Sequence, residues 1–475
     1  MYIYSGYFTH LKTSIFGMTT NFSWTKQWYP VTPISYLDSE PTSITLLGKK
    51  LVIWQDKHQK WIAMDDRCPH KLVQLSKGNI NENGELVCRH HGWCFDGAGK
   101  CTNIPMLSDE KAQLTAYRSE RSQVTTYPTQ VRQGLLWVWL DNSPTNYEDC
   151  ASKQPAVMLE DKFDSSSADW FVSEVPVGYT VSVESSFDPS HAQFLHQGIA
   201  GFSPERAIPM EQNEVLGEMS AEDGFTLKHS GYNIFNKGMD ATRKFTPPCS
   251  NTTIYKYPNG ISAWFQLYFV PTEPGHCKYI TKFVFEGMPQ KPKFWSKLLP
   301  KYLSTGLQHL SSYKLGNQDL SMMHSQAVNE SLGDNIWQKS YFMPSIADVG
   351  IVTFRKWLDE FAGGKPEWQG ANEAPFQELN DEQLYDRWYR HTKHCPSCQQ
   401  SVILIDRVRN FCQNSAITLA ILGLLLIVFS LPTKILLIPV LLSILSLICS
   451  YKLDSIRASF LSSIPNKGLP VVKLY

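Results

Sequence analysis

The chain has 475 residues, which is enough for two globular domains with additional segments. Its 44 basic and 44 acidic side chains leave no net charge, so no basic face is indicated and nucleic acid is not an expected partner. Eleven cysteines are spread thinly along the sequence, which favours buried thiols in a reducing compartment over a disulfide framework.

The first folded part is predicted to be β-rich. Residues 1–21 are expected to form an extension, because residues 1–20 contain one Lys, no Arg and no long apolar core and so fit neither a secretory signal nor a transit peptide. Ile44–Trp54 and Trp61–Met64 are short apolar or alternating runs separated by charged residues, as in β-hairpins. The apolar run Leu135–Leu140 is expected to be a buried strand that closes this domain.

Two short motifs in this domain combine thiols with imidazoles. Cys68-Pro-His70 is followed, after seventeen residues, by Cys88-Arg-His-His91. In a Rieske [2Fe–2S] centre two Cys hold one iron and two His hold the other. A zinc site is the alternative, but zinc sequences usually keep their Cys pair apart from their His pair. The segment Gly92–Gly99 also has the glycine turns of a hairpin tip, so the pattern favours a Rieske cluster.

These loops resemble the Rieske domain of ring-hydroxylating and related non-haem iron oxygenases. The resemblance makes His91, rather than His90, the fourth ligand. Rieske subunits of respiratory and photosynthetic cytochrome complexes carry an extra Cys in each loop, joined as a disulfide. Val73 and His90 stand at those places, so that bridge cannot form and a lower-potential cluster of the oxygenase type is expected.

A second domain is predicted over residues 170–385, after a Ser-, Asp- and Pro-rich linker at 141–169. Ile261–Val270 and Tyr279–Glu286 are expected to be long antiparallel strands, and Lys293–Asn329 is expected to be mostly helical. A sheet wrapped around a helix predicts a deep apolar pocket for a large hydrophobic ligand.

This domain contains the motif Asp188-Pro-Ser-His191 followed by His196. Asp188 and Pro189 are good residues to begin a helix that carries both histidines. Five residues place two side chains roughly 140° apart on an ideal helix, so one metal reaches both only if the helix is distorted or ends, as Gly198 permits. Two His and one carboxylate form the facial triad of non-haem Fe(II) oxygenases.

The motif resembles the mononuclear iron motif of Rieske oxygenases, which implies that His191 and His196 are iron ligands. By the same resemblance, the third ligand is Asp319, on a late helix. Asp188 is implied to be the catalytic acid that links an iron histidine to a cluster histidine of the neighbouring subunit. Glu184 stands where many relatives have Asn.

Beyond this domain, Cys395 and Cys398 form a C-x-x-C pair, which favours reversible disulfide formation. The alternatives are a zinc site completed by His391 and His394, and a structural role without chemistry. The redox pair is favoured, because ligands this crowded in sequence seldom close a tetrahedron.

Two apolar runs, Ser415–Leu431 and Ile435–Cys449, predict a membrane hairpin, with a buried helical pair as the alternative. Basic residues flank it on both sides, which puts both ends and the catalytic body on the cytoplasmic or stromal face; they are Arg407, Arg409, Lys452 and Arg457.

Across nearly the whole chain these features resemble the pheophorbide a oxygenase group. That group also contains chlorophyllide a oxygenase, protochlorophyllide-linked oxygenases and the Rieske component of the chloroplast inner-envelope translocon. The resemblance implies a membrane-bound monooxygenase that uses O₂ and reduced ferredoxin, or a ferredoxin-like reductase, to oxygenate a hydrophobic chlorophyll-derived tetrapyrrole. It also implies a homotrimer, thioredoxin as a partner of the C-x-x-C pair, and a thylakoid, plasma or plastid inner-envelope membrane. The other functions considered are a redox-sensing translocon component and a simple electron carrier.

The predicted fold class is α+β, with an all-β Rieske domain, a helix-grip-like catalytic domain and a transmembrane helical hairpin. The cofactors expected are one Rieske [2Fe–2S] cluster and one mononuclear Fe(II). The predicted segments are an N-terminal extension (1–21), the Rieske domain (22–140), a linker (141–169), the catalytic domain (170–385), the C-x-x-C segment (386–410), the hairpin (411–452) and a tail (453–475).

Overall fold

Antiparallel pairing organises all the β-structure that the computed structural model describes. The described residues are 22–143, 145–157, 169–199, 201–288, 300–333, 336–370, 376–429 and 432–461. Within them, the strands form a three-stranded sheet in which Leu135–Trp139 is central, two four-stranded sheets, and a seven-stranded sheet whose edge strands are Phe171–Val175 and Asn213–Ser220. This is the α+β class expected from the sequence.

The strands are, in chain order, β1 Trp28–Pro33, β2 Thr42–Leu46, β3 Lys49–Gln55, β4 Trp61–Asp65, β5 Asn79–Ile80, β6 Leu86–Val87, β7 Cys94–Phe95, β8 Cys101–Asn103, β9 Thr126–Tyr127, β10 Thr129–Arg132, β11 Leu135–Trp139, β12 Phe171–Val175, β13 Asn213–Ser220, β14 Gly224–His229, β15 Asp240–Thr246, β16 Ser250–Lys256, β17 Ser262–Glu273 and β18 His276–Glu286. The α-helices of the described residues are Glu110–Arg118, Asn146–Ser152, Tyr179–Ser185, Ala192–Leu195, Lys301–Ser331, Trp337–Ser340, Val349–Phe361, Asp381–Leu384, Arg387–Arg390, Pro396–Val428 and Thr433–Leu461.

The N-terminal sheets are hairpins, as the alternating runs predicted. β2 pairs with β3 and β3 with β4, and all five residues of β11 are buried between β1 and β10. The small sheet β5–β8 stands beside them and carries the second motif between β6 and β7.

The segment 141–169 differs from the expected irregular linker. It contains the helix Asn146–Ser152, and residues 158–168 lie outside the described part of the chain. The indole of Trp28 donates a hydrogen bond to the Cys150 carbonyl at 3.1 Å, so this helix is attached to the N-terminal domain. A buried backbone carbonyl needs such a partner, which is a tertiary requirement that the composition of the segment does not reveal.

One apolar core joins the first domain to the seven-stranded sheet. The ring of Trp24 meets Tyr179 edge-on at 5.4 Å between centroids, and Trp137 meets Tyr268 in the same way at 5.3 Å. Aromatic edge-to-face pairs add about 0.5–1.5 kcal/mol each beyond the area that they bury. The two domains therefore share a packed interface.

The seven-stranded sheet packs against the helix Lys301–Ser331, hereafter the long helix. β17 and β18 confirm the two strands predicted from the sequence. The helix begins at Lys301, so the part of the predicted helix at 293–299 lies outside the described residues. Leu320 is fully buried in an apolar cluster with Val175 and Val181, and this contact fixes the rotation of the long helix about its axis.

The two apolar runs belong to helices longer than the sequence indicated, Pro396–Val428 and Thr433–Leu461. Among the described residues, two helices, Pro396–Val428 and Leu437–Leu461, could cross a membrane by length and composition, and only 11% and 17% of their apolar windows are buried. A soluble helical pair would bury most of this surface, so the exposed apolar faces favour the hairpin over the buried alternative. The first helix begins immediately after Cys395, which places the C-x-x-C pair at its first turn.

Candidate metal centres

The two cluster loops repeat one backbone conformation. In the first loop the Cys68 amide donates to the Val73 carbonyl at 2.9 Å, and in the second the Cys88 amide donates to the Trp93 carbonyl at 2.8 Å. Two loops with the same hydrogen bonds present their cysteines in the same way, which is what a cluster held from two sides requires.

A positive φ closes each loop at the equivalent position. Leu72 has φ 61° and Gly92 has φ 71°, and each amide donates back to the carbonyl of the loop cysteine, at 2.8 and 2.9 Å. Glycine adopts this conformation without a steric cost, whereas leucine rarely does. The first loop therefore carries local strain that its surroundings sustain.

The thiols lie inside this domain and the imidazoles lie at its surface. Cys68 and Cys88 are 1% exposed, whereas His70 is exposed and His91 is half-buried. The two imidazole centroids are 4.5 Å apart, and Trp93 stacks on His70 at 4.9 Å. A bound cluster would therefore have its cysteine-bound iron buried and its histidine-bound iron near the surface, where an electron partner can approach.

The chemistry of these four side chains fits a two-iron cluster better than a single ion. Burial raises the pKa of the Cys68 thiol to about 12, so a bound metal must supply the charge that holds it as a thiolate. Cys68 and Cys88 contact each other, and the imidazoles pair separately. In the described structure, the ligand atoms of Cys68, Cys88, His70 and His91 do not all lie within 4.8 Å of one another, as they would around a single ion. A two-iron cluster binds its thiols and imidazoles on different irons, so it does not require that convergence.

His191, His196 and Asp319 do converge in this way. Oδ1 of Asp319 lies 3.4 Å from Nε2 of His191 and 3.2 Å from Nε2 of His196. Two imidazoles and one carboxylate around one point are the ligands of a non-haem Fe(II) centre that keeps positions open. The three residues named from the sequence are therefore brought together by the fold.

The other nitrogen of each imidazole has its own partner. Nδ1 of His196 lies 3.1 Å from Oε1 of Gln318, and Nδ1 of His191 lies 3.5 Å from Oδ2 of Asp188. An acceptor at Nδ1 holds the proton there and leaves Nε2 free to bind a metal. The sequence did not single out Gln318, because one glutamine beside a candidate ligand carries no spacing signal of its own.

An unsatisfied oxygen supports a metal at this point. Although two imidazole nitrogens lie within 3.4 Å, the buried Oδ1 of Asp319 accepts no well-aligned hydrogen bond from any described residue. Such an orphaned atom calls for an explanation, and a bound ion is one. Burial opposes the charged form of His191, but the nearby carboxylates of Asp188 and Asp319 raise the pKa of His191 to about 10. A cation between these carboxylates is thus favoured, and the residues present fit an iron ion.

The helix ends before His196, so the two histidines are not held about 140° apart as they would be on one ideal helix. The expectation that this helix carries both histidines is corrected. The helix spans only Ala192–Leu195, so His191 and His196 flank it and do not lie on it. Asp188 does not cap this helix, since its Oδ1 accepts from the Ser190 amide at 3.0 Å in the preceding turn. His196 leaves helical geometry with ψ 36°, because the chain turns there towards Gly198, whose φ is 76°. Both rings can then point to one side.

Glu184 is a buried structural acid. It is 2% exposed and forms an ion pair with Arg355 at 2.5 Å. Arg355 also pairs with Glu330 at 2.6 Å, and Tyr341 donates to Glu184 at 3.1 Å. The network ties the helix Tyr179–Ser185 to the long helix and to the helix that carries Arg355.

A second convergent group lies away from the iron ligands. It consists of His309 on the long helix, His391, Cys395 and Cys398, all buried, with ligand atoms within 4.8 Å of one another. The C-x-x-C pair therefore lies with His391, as the zinc interpretation required. The fourth member is His309, and His394, the ligand offered by the sequence, does not belong to the group.

Comparison with known proteins agrees with both domains. Residues 27–128 match the Rieske [2Fe-2S] domain family, and residues 245–334 match the Pheophorbide a oxygenase family. The chain is 32% identical over 403 residues to the chloroplastic pheophorbide a oxygenase of Oryza sativa subsp. japonica, covering 80% of this chain and 73% of that protein. It is 30% identical over 395 residues to the chloroplastic flavonoid 8-hydroxylase 2 of Ocimum basilicum, covering 79% of this chain and 73% of that protein. The crystal structure of dicamba monooxygenase bound to dicamba has the same fold, with a TM-score of 0.52 and 17% identity over 72% of this chain and 98% of that one.

Proposed function

Because the chain belongs to the pheophorbide a oxygenase family of Rieske non-haem iron oxygenases, we propose that it oxygenates a chlorophyll-derived tetrapyrrole of the pheophorbide a or chlorophyllide a type. The observation that carries an oxygenase function is the convergence of His191, His196 and Asp319 around one point. A simple electron carrier needs no such centre. A translocon component that turns over no substrate would not need it either.

The ligand sets support a division of labour between the domains. Bound at the two sites, the cluster would supply electrons and the mononuclear iron would supply O₂ activation. The protein's own part is to hold each imidazole in the correct tautomer, through Gln318 for His196 and Asp188 for His191. Asp319 adds a negative charge that offsets the charge of the metal.

The apolar side chains packed beside the iron ligands support a hydrophobic substrate. Ala192, on the helix between the two histidines, belongs to a buried cluster with Tyr232 and Tyr255 of the catalytic domain. Phe202 lies 6.2 Å from His196 between ring centroids and packs against the same cluster. Apolar walls with few polar groups are usual for pockets that bind flat hydrophobic ligands.

Electron transfer between subunits is the third part of the proposal. Asp188 keeps one carboxylate oxygen near His191 while its side chain is 27% exposed, so a second imidazole can approach it. The exposed His70 of another subunit could contact Asp188 in this way, since His70 would be a ligand of the histidine-bound iron of the cluster. A ring of three subunits with reduced ferredoxin, or a ferredoxin-like reductase, as the electron source would satisfy this geometry.

The two apolar helices support attachment to a membrane with the catalytic body on the basic side. Arg409 pairs with Asp454 at 2.9 Å and Arg457 with Asp406 at 2.7 Å, so the two helices are joined at the end where the catalytic body begins. A chloroplast membrane facing the stroma is the location that we propose, because the two relatives described above, from Oryza sativa subsp. japonica and Ocimum basilicum, are chloroplastic.

The direct test is a single turnover with a defined panel of substrates. Anaerobically reduced protein in detergent is mixed with pheophorbide a, chlorophyllide a or a flavone, exposed to ¹⁸O₂, and the products are analysed by mass spectrometry. We expect one labelled oxygen in a tetrapyrrole and none when His191→Ala is used. Label in the flavone alone would replace the substrate proposed, and no label in any compound of the panel would argue against it.

Metal analysis tests the oxygenase function separately. The purified protein should hold about three irons and two acid-labile sulfides per chain, from one [2Fe–2S] cluster and one mononuclear site. His191→Ala should lose one iron and keep the Rieske spectrum. Two irons at full cluster occupancy in the wild type would contradict an oxygenase.

A mixing experiment tests transfer between subunits. His191→Ala subunits lack the iron centre and Cys68→Ser subunits lack the cluster, so each homo-oligomer should be inactive. Co-expressed chains should recover part of the wild-type turnover if a cluster serves its neighbour's iron. Inactive mixtures that contain both kinds of chain in one oligomer would exclude that route.

A further inference from the structure

We propose that His309, His391, Cys395 and Cys398 bind one structural Zn²⁺ that fastens the first membrane helix to the long helix of the catalytic domain. These residues come from two parts of the chain that are distant in sequence. His309 lies in the third turn of the long helix, whereas His391 follows the short helix Arg387–Arg390 and the cysteines lie at the start of the next helix, Pro396–Val428.

The distances between ligand atoms match those around a tetrahedral zinc ion. Zinc bonds of about 2.0–2.1 Å to nitrogen and 2.3 Å to sulfur place neighbouring ligands about 3.3–3.8 Å apart. Nδ1 of His309 lies 3.2 Å from Nε2 of His391 and 3.5 and 3.4 Å from the sulfurs of Cys395 and Cys398. Nε2 of His391 lies 3.2 Å from the Cys398 sulfur. Four donors at these separations surround a single ion.

The partner of His391 prepares it as a ligand. Its Nδ1–H donates to the carbonyl of Val172, on β12, at 2.5 Å, so Nε2 is the nitrogen left for a metal. Two thiolates and two neutral imidazoles would balance the charge of Zn²⁺.

The position of the group explains why a metal is needed there. Cys395, Cys398, Ile405 and Phe460 form a small apolar cluster separate from the main core. A cluster of this size supplies little stability, and structural zinc supplies folding free energy directly. With four protein ligands the site is closed, which distinguishes it from the iron centre with its open positions.

The zinc site would also connect the first membrane helix to the helix that carries an iron ligand. His309 and Asp319 are ten residues apart on the long helix, which is about 15 Å along its axis. Fixing His309 therefore holds the helix that supplies the carboxylate ligand of the iron.

A disulfide reduced by thioredoxin, as expected from the sequence, would use the same two thiols. Cys395 is 0% and Cys398 is 1% exposed, whereas thiol–disulfide exchange requires that the attacking thiolate reach a sulfur. The cysteines are free thiols in the structure, and both are within reach of two imidazoles. Burial and complete coordination together favour the metal.

The test measures zinc in the full-length protein, purified in detergent without chelators. We expect about one zinc per chain beyond the iron content, with two sulfur and two nitrogen neighbours in X-ray absorption at the zinc edge. His309→Ala should lose most of this zinc, and His394→Ala, the matched control beside Cys395, should keep it. His309→Cys, which restores a zinc ligand, should recover zinc binding and solubility if His309→Ala folds poorly.

The absorption measurement on the wild type does not depend on how any variant folds. A zinc content below about a tenth per chain in the wild-type protein would overturn the proposal. So would a Cys395–Cys398 disulfide detected by mass spectrometry and reduced by thioredoxin in the native protein. Zinc retained at full occupancy in a folded His309→Ala variant would overturn the assignment of His309.

Discussion

Gln318 and Asp319, neighbours in the sequence, contact opposite nitrogens of one imidazole. Oε1 of Gln318 lies 3.1 Å from Nδ1 of His196, and Oδ1 of Asp319 lies 3.2 Å from its Nε2. One turn of the long helix therefore provides both a ligand and the group that sets the tautomer of another ligand. This pairing makes Gln318 a positioning residue for the iron.

The first prediction follows from that contact. Gln318→Ala removes the acceptor at Nδ1, so His196 loses its preferred tautomer and the affinity for iron should fall about 10- to 100-fold. Iron titration of the apoprotein, followed by the signal of the mononuclear centre, measures this change. Gln318→Glu is the control, because a carboxylate also accepts the Nδ1 proton and should keep the iron. Equal iron affinity in Gln318→Ala and the wild type would remove the positioning role.

The second prediction concerns Asp188. Burial opposes its charged form, but the hydrogen bond with His191 lowers the pKa of the Asp188 carboxyl below its usual value, so it is charged at neutral pH. Asp188→Asn keeps an oxygen that can accept from the Ser190 amide, and should preserve the turn. It removes the charge that we propose lies between the two redox centres, so reoxidation of the reduced cluster by O₂ and substrate should slow about 10- to 100-fold.

Stopped-flow absorbance of the cluster in a single turnover measures this rate, with metal content and oligomeric state as controls. If the cluster of the variant reoxidises at the wild-type rate with both metals in place, Asp188 stabilises the turn and has no role in electron transfer.

The third prediction concerns the buried pair of Glu184 and Arg355. Removing one partner leaves a buried charge, so Glu184→Ala should lower the free energy of unfolding by about 3–5 kcal/mol. Glu211→Ala is the comparison, because Glu211 pairs with Lys237 where both side chains are more than half exposed, and its loss should lower the free energy of unfolding far less. Denaturant unfolding followed by tryptophan fluorescence measures both values. Equal values would show that the buried network adds no stability.

The fourth prediction is a dependence on pH that arises from His229. Its Nδ1–H donates to the Ser230 carbonyl at 2.9 Å and its Nε2 accepts from Arg243 at 3.0 Å. Burial, with the nearby Arg243 charge, lowers the pKa of His229 from 6.5 to about 3. Below pH 6.5, His229 becomes protonated in the unfolded chain but stays neutral in the folded protein. The free energy of unfolding therefore falls as the pH falls towards 3.

This group should contribute a slope of about 1.4 kcal/mol per pH unit within that window. His229→Gln removes the titrating group and should flatten the pH dependence of the urea midpoint between pH 6.5 and 5, whereas replacing the exposed His276 by Gln should not change it. Identical slopes in His229→Gln and the wild type would contradict the assignment.

Local motifs determined the Rieske assignment from the sequence alone. The four cluster ligands lie within 24 residues on two loops, and such loops keep their conformation through their own hydrogen bonds, as Cys68 and Cys88 illustrate. The motif of His191 and His196 is equally local, and the apolar hairpin was visible because a membrane span depends on length and composition.

Tertiary structure decided what long-range packing controls. Gln318 and His309 reach their partners because the packing of Leu320 sets the rotation of the long helix, and no spacing in the sequence encodes that rotation. The same packing brings His309, which is 86 residues from Cys395, into the group of four, whereas His394, the neighbour of Cys395 in sequence, lies outside it. The short helix between His191 and His196 is a further example. Gly198 permits the helix to end there, but the surrounding fold determines that it does. Ligands close in sequence are read from the chain itself, whereas ligands contributed by separate helices depend on how those helices pack.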